Sequence, residues 1–166
     1  MAFEAAVDLD TKEEALKLLV DKGILTQTDF EKCKKALSKK AAEAGLIYHD
    51  KTISVFYKST QEQQMLGGKG IKVYLIVENK TKEPITIKAT CAANGIIMEH
   101  DIQLVSNLLG KAKAIVEVVY FFNKLSVIDI HSIKDLKTVS FCFSAYDKMR
   151  REICSSTIMK EVVVNP

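Results

Sequence analysis

Acidic residues flank each of the three histidines in this sequence, and imidazoles and carboxylates are common zinc ligands. The three clusters are His49-Asp50, Glu99-His100-Asp101 and Asp129-Ile130-His131. None of them has the spacing that brings three or four ligands together, so we predict no metal site. Glu99, His100 and Asp101 follow an Asn94-Gly95 turn, and surface loops tend to carry function. We therefore predict these three residues as a candidate surface-loop site.

Four cysteines are the other candidate reactive groups: Cys33, Cys91, Cys142 and Cys154. Cys154 follows Arg150 and Arg151, whose positive charges would lower the pKa of a nearby thiol. A nucleophilic cysteine also needs a base and a group that orients the base, and nothing in the sequence identifies either. We predict no catalytic residues and no enzyme activity.

A disulfide between Cys91 and Cys142, joining two sheets, is the alternative use of the thiols. Cys142 alternates with Phe141 and Phe143 along a predicted strand, so its side chain is expected on the opposite face. The tryptophan that packs against such a bridge in antibody domains is absent from the sequence. We therefore expect four reduced thiols.

Residues 67–70, Gly-Gly-Lys-Gly, resemble part of a phosphate-binding loop. That motif needs Ser or Thr after the lysine and a helix after the loop, whereas this lysine is followed by Gly70 and a strand pattern. Asp8 and Asp10 begin like a calcium loop, but Lys12 occupies the third ligand position. We predict no bound cofactor.

Composition excludes some classes of function. The 166 residues include 24 Lys and Arg and 21 Asp and Glu, a net charge of +3 that gives no general argument for nucleic acid or for an anionic membrane. No apolar run approaches the ~18 residues that a membrane helix needs, so we expect no membrane partner. The N-terminus lacks the basic and apolar regions of a signal peptide, which predicts a cytoplasmic protein.

The hydrophobic period changes once along the chain. Apolar residues recur at steps of three and four up to Gly45 and at steps of two from Ile53 onward, which predicts helices followed by strands. A capping box from Thr11 to Glu14 predicts a helix from about Lys12 to Asp21. Gly23 ends it, Thr26 with Asp29 caps a second helix, and that helix runs to about residue 44.

Two helices with so short a turn form an αα-hairpin, which cannot bury its apolar stripe alone. The stripe consists of Leu16, Leu19, Val20, Phe30 and Leu37. These residues must contact the following domain, a second copy of the chain or another protein. We predict them as an interaction surface.

The stretch EEALKLLVDKGILTQTDFEKCKKAL resembles the short bacterial helical hairpin called the SHOCT domain. The shared pattern is a leucine-bearing helix, a turn with Gly-Ile, then Thr, acidic residues, Phe-Glu and a lysine-rich helix. The resemblance implies a small oligomerisation or docking module.

Seven or eight strands separated by turns predict an antiparallel two-sheet sandwich. We expect strands at residues 52–58, 69–78, 85–91, 96–98, 102–105, 112–120, 138–146 and 154–163. The alternation stops between Phe121 and Asp135, which predicts a short helical crossover from one sheet to the other. Leu125 and Ile128 are expected to pack over the end of the sandwich.

The segments GKGIKVYLIVENKTKEPITI and DLKTVSFCFSAYD resemble immunoglobulin-like domains of uncharacterised bacterial proteins. The sequence thus predicts a mainly β (α+β overall) protein, with a helical hairpin at 1–46 and an immunoglobulin-like β-sandwich at 47–166. The predicted function is a non-catalytic module for protein–protein interaction or oligomerisation. The alternative is a nucleic-acid-binding accessory protein that uses the lysine-rich second helix, although Glu31 and Glu43 share its face and no aromatic residues are interleaved for base stacking.

Overall fold

Two helices precede two antiparallel sheets, which confirms the predicted fold class. The computed structural model describes the backbone of residues 9–43 and 45–165 and the side chains of residues 12–40 and 45–165. The protein is mainly β and α+β overall. Nothing in the structure tests the division at residue 46, so the predicted domain boundary stays a prediction.

Helix α1 spans Leu9–Asp21 and helix α2 spans Gln27–Glu43. After α1, the amide of Ile24 donates to the carbonyl of Leu19 over 2.9 Å, which closes the helix as predicted. Thr26 caps α2, because its hydroxyl oxygen accepts from the Asp29 amide at 3.2 Å and its hydroxyl donates to the Asp29 carboxylate at 2.8 Å. The predicted capping box at Thr11 is wrong, since Thr11 lies inside α1 rather than before it.

The described residues form nine strands in two sheets: β1 Leu46–His49, β2 Ile53–Met65, β3 Gly68–Asn79, β4 Ile85–Ala93, β5 Ile96–Leu108, β6 Lys113–Phe121, β7 Thr138–Tyr146, β8 Glu152–Ser155 and β9 Lys160–Val163. The first sheet has the order β1-β2-β3-β6. The second has the order β5-β4-β7-β8, with β9 also paired to β7. The chain therefore passes from one sheet to the other three times: after β3, after β5 and after β6.

The strand bounds differ from the predicted ones in three places. Residues 46–49, predicted as connector, form edge strand β1 of the first sheet. Strand β2 continues to Met65, because the polar residues 59–65 pair with the start of β3 in a long hairpin. The predicted last strand is divided into β8 and β9, and both pair with β7.

The two sheets bury their inward-facing side chains against each other in one core. Alternate residues of β3, β4 and β7 supply most of it, and Phe141 and Phe143 are among its largest members. The predicted crossover is confirmed, as helix α3, Phe122–Leu125, and two 3₁₀ turns connect β6 to β7. Leu125 is fully buried and Ile128 packs against the core, so this crossover closes one end of the sandwich.

Gly45 joins the hairpin to β1 in a conformation that other residues adopt at a cost. Its φ is +91°, and a Cβ there would lie 2.6 Å from the carbonyl oxygen of Tyr57. The Gly45 carbonyl accepts from the Tyr57 amide at 2.8 Å, so the chain enters the first sheet already paired to β2.

The buried carboxamide of Asn79 holds the other end of the sandwich together. Its Nδ2 donates to the carbonyls of Glu83, Leu108 and Leu109 over 2.7, 2.9 and 3.1 Å. Its Oδ1 accepts from the amide and the hydroxyl of Thr81 over 2.9 and 2.7 Å. One side chain thereby fixes both loops that cross between the sheets at this end.

Replacing Asn79 with Asp should destabilise the protein strongly. The new carboxylate would face three carbonyl oxygens without a proton to donate, and a buried polar group without partners costs several kcal/mol when charged. We expect the free energy of unfolding in urea to fall by about 3 kcal/mol at pH 7. The exposed Asn123→Asp change is the matched control and should shift it by less than about 0.5 kcal/mol. Equal effects of the two substitutions would show that Asn79 does not have this structural role.

Candidate interaction surfaces

The hairpin presents an apolar groove between its two helices. Leu16 and Leu19 of α1 face Cys33, Ala36 and Leu37 of α2 across a concave space of about 490 Å³. The leucines are half-buried, and Cys33 and Ala36 are exposed. Lys12 and Lys40 border the groove at the end away from the turn.

The predicted apolar stripe divides between two surfaces. Leu16, Leu19 and Leu37 lie together in the groove, as predicted for a common face. Val20 and Phe30 border a separate depression of about 220 Å³ instead. Phe30 is only 6% exposed, so it is a structural residue of the hairpin rather than part of an open surface.

Glu99, His100 and Asp101 lie within strand β5 and not in a loop, so that part of the prediction is wrong. The hairpin turn at Asn94-Gly95 is short, and β5 begins at the next residue. The Glu99 carboxylate accepts from Lys124 Nζ at 2.6 Å, while His100 and Asp101 are exposed. Asp101 has a φ of +48°, which marks an irregularity of this edge strand.

The four cysteine thiols lie in different environments. Cys91 and Cys142 lie on neighbouring strands of the same sheet, so they are not placed to join the two sheets. All four cysteines are free, and only Cys33 is exposed. Burial raises the pKa of the Cys91 thiol to about 12, which keeps it protonated and unreactive at neutral pH.

Cys154 belongs to a small polar cluster with Tyr48 and Asp50. The Tyr48 hydroxyl donates to Asp50 Oδ2 over 2.5 Å, and Asp50 Oδ1 accepts from the amides of Thr52 and Ile53. Burial would raise the pKa of Asp50, but these hydrogen bonds together hold it below its usual value. Burial and the Asp50 carboxylate raise the pKa of the Cys154 thiol to about 12. The cluster therefore stabilises the β1–β2 turn and gives no nucleophile.

Glu78 is a buried carboxyl group that the sequence reasoning missed. It is 4% exposed, and its Oε2 has no hydrogen-bond partner. Burial raises its pKa, and the positive charges of Lys113, Lys80 and Lys111 offset only part of that effect. The signal was present in the sequence, since Glu78 directly follows the apolar residues of a strongly predicted strand.

Within the described residues, no group of three or more His, Cys, Asp or Glu side chains is placed to hold a metal ion. None of the helices in residues 9–43 and 45–165 has the length and apolar character needed to cross a membrane.

Comparison with known proteins gives no family for this chain. No protein-family model matches the sequence, and no curated protein matches it. Among solved structures, the chain is similar to a solution structure described as that of a candidate late embryogenesis abundant (LEA) protein, with 15% identity and a TM-score of 0.40. The match covers 98% of this chain and 92% of that one.

The buried carboxyl of Glu78 gives a prediction about pH dependence. A carboxyl group whose pKa is raised by folding contributes stability below its unfolded pKa of 4.5, and that contribution is lost as the pH rises through the folded pKa. Glutamine keeps the shape and cannot ionise. We therefore expect the Glu78→Gln variant to gain stability relative to the wild type as the pH rises above about 4.5.

Urea unfolding at several pH values between about 4 and 8 measures this difference. The exposed Glu152→Gln change on β8 is the control, and its difference from the wild type should stay nearly constant. A wild type whose free energy of unfolding rises relative to that of Glu78→Gln as the pH rises would contradict the burial argument.

Proposed function

We propose that this protein is a non-catalytic interaction module that self-associates through the groove between helices α1 and α2. The observation that carries the proposal is the apolar groove lined by Leu16, Leu19 and Leu37, which is open to solvent in the single chain. Short helices obtain most of their stability from packing of an apolar face, so this face is expected to be covered in the working protein.

A second copy of the chain is the occupant that the charges of the hairpin favour. Helix α1 contains four acidic and two basic residues, whereas α2 contains five lysines and three acidic residues. In a two-fold dimer with the grooves face to face and the axis parallel to the helices, α1 of one copy lies along α2 of its partner, so helices of opposite net charge are adjacent. The product is a four-helix bundle with the six groove leucines of two chains inside.

We propose that the sandwich is the scaffold that carries this hairpin. We propose that it is immunoglobulin-like. Strands β2, β3 and β6 correspond to A, B and E, and strands β5, β4 and β7 correspond to C′, C and F. The last strands, β8 and β9, occupy the position of G beside β7. The inter-sheet disulfide and the tryptophan of antibody domains have no counterpart here.

The SHOCT-like character of the hairpin and the cytoplasmic location remain parts of this proposal. The hairpin resemblance depends on the residues of the turn and the caps. The turn closed by Gly23 and the cap formed by Thr26 and Asp29 support it.

Size-exclusion chromatography with light scattering tests the proposal on the full chain. The wild type is expected to form a dimer, and Leu16→Asp with Leu37→Asp is expected to weaken it about 100-fold or more, because four carboxylates, two from each chain, would be buried at the interface. Ala36→Glu places a charge in the groove while leaving the leucines of the hairpin intact. Leu18→Glu is the matched control, since Leu18 is 53% exposed and does not border the groove.

Cys33 provides a second, independent readout of the same interface. It is the exposed cysteine of the chain and lines the groove, so a bis-maleimide should link two copies through it. We expect a cross-linked dimer that disappears in Cys33→Ser and in Ala36→Glu but not in Leu18→Glu. A wild type that stays monomeric and uncross-linked at high micromolar concentration would contradict self-association.

Nucleic-acid binding by the lysines of α2 stays the alternative prediction. Lys32, Lys34, Lys35 and Lys39 are all exposed. No feature of the described residues favours it over self-association. A charge reversal of Lys34 and Lys35 serves as the control in the vesicle-binding experiment.

A further inference from the structure

We propose that one end of the sandwich is a docking surface for anionic phospholipid bilayers. This end, called the basic end here, consists of residues 80–84, 109–112 and 147–151, which form the β3–β4, β5–β6 and β7–β8 loops. The proposal concerns reversible contact with a membrane surface, which needs no apolar helix. It therefore differs from the sequence prediction of no membrane partner, which considered spanning segments and the net charge of the whole chain but not the charge of one end of the sandwich.

Hydrogen bonds and strand pairing bring the three loops together. The Lys111 amide donates to the Thr81 carbonyl over 3.0 Å, and Lys111 Nζ donates to the Lys80 carbonyl. The third loop follows β7 directly, and its Lys148 Nζ lies 3.9 Å from a carboxylate oxygen of Glu83. The β4–β7 register places the start of that loop beside the β3–β4 loop.

The basic end concentrates exposed positive charge. The exposed cations of its loops are Lys82, Lys111, Lys148, Arg150 and Arg151, and the exposed Lys113 follows at the start of β6. The exposed carboxylates in or beside these loops are those of Glu83 and Glu152. Asp147 and Arg151 offset each other, because Asp147 Oδ2 accepts from Arg151 Nε at 2.8 Å. The chain as a whole carries only +3, so this excess is local.

An apolar side chain projects from each of two of these loops. Leu109 is 66% exposed and Met149 is 74% exposed. Lys111 follows Leu109 closely, and Met149 lies between Lys148 and Arg150. A bilayer surface provides for both kinds of side chain, since the cations meet anionic headgroups and the apolar side chains enter the boundary with the acyl chains.

The loops are held in this form before any partner binds. Asp147 Oδ1 accepts from the amides of Met149 and Arg151, each over 2.9 Å. The Ala112 amide donates to the Leu109 carbonyl over 3.0 Å and closes the second turn. Because these loops are already ordered, binding loses little conformational entropy.

Nucleic acid is the competing polyanion, and the basic end fits it less well. None of the residues in the three loops is aromatic, so the loops offer no ring on which a base could stack. Phosphates alone also give no reason for Leu109 and Met149 to be exposed. The two partners differ in whether those apolar side chains contribute to binding, which makes them distinguishable.

Vesicle co-sedimentation of the full chain tests the proposal. Vesicles of phosphatidylcholine with about 30% phosphatidylserine should bind the protein in a salt-dependent manner, and vesicles of phosphatidylcholine alone should not. Lys148→Glu with Arg150→Glu is expected to weaken binding at least about tenfold. Leu109→Ser with Met149→Ser is expected to weaken it about fivefold or more, and circular dichroism confirms that each variant is folded.

The matched control is Lys34→Glu with Lys35→Glu on α2, which makes the same change in net charge at another site. It should leave vesicle binding nearly unchanged. Three results would overturn the proposal: no binding to phosphatidylserine vesicles, equal loss in the α2 variant, or unchanged binding after Leu109→Ser with Met149→Ser. Binding to a DNA duplex of about 20 base pairs that does not depend on those two apolar residues would assign the surface to nucleic acid instead.

Discussion

The connections between the two sheets depend on one buried carboxamide at the end opposite the helical crossover. A loop that crosses between sheets turns its own amides and carbonyls inward, where they need partners. Asn79 supplies donors to three carbonyls and an acceptor to Thr81, so both crossing loops are satisfied from a single position. The other end is closed differently: Leu125 fills the core, and Asn94 Oδ1 accepts from the amides of Lys137 and Thr138. An asparagine side chain thus hydrogen-bonds to backbone groups at each end of the sandwich, and apolar side chains of the strands form the core between the ends.

The sequence predicted the features that follow from local periodicity. The two-residue alternation located the central strands, and the loss of that alternation after Phe121 correctly indicated a helical crossover. Three features could not be predicted, because each depends on pairing with another segment and not on the local hydrophobic period. Strand β1 forms because residues 46–49 pair with β2. The polar half of β2 is a strand because it pairs with β3. Asn79 has its structural role because two loops converge on it. The residues around Asn79 indicated only a turn.

The predictions of the candidate surfaces have the same limit, because local spacing does not show how the elements pack. Helical spacing correctly grouped Leu16, Leu19 and Leu37, since residues three and four apart share a face. It also included Val20 and Phe30, which lie on the edge of the same stripe and border a different depression once the helices pack. Glu99, His100 and Asp101 were predicted in a loop because the turn signal before them is strong. The turn itself takes only two residues, and the chain returns at once to a strand.

The chemistry of the buried thiols and of Asp50 is one reason why we propose interaction surfaces as the functional parts of this protein. Burial keeps Cys91 and Cys154 protonated, and Asp50 uses its oxygens to hold a turn. The two surfaces that we propose lie at separate places, the groove of the hairpin and the loops of the basic end. These surfaces differ in chemistry, since one is apolar with lysines at one end and the other is cationic with two apolar tips. They also belong to different elements, so occupation of one leaves the other accessible. A dimer formed through the grooves would carry two basic ends, and paired weak contacts with one membrane would bind far more strongly than either alone.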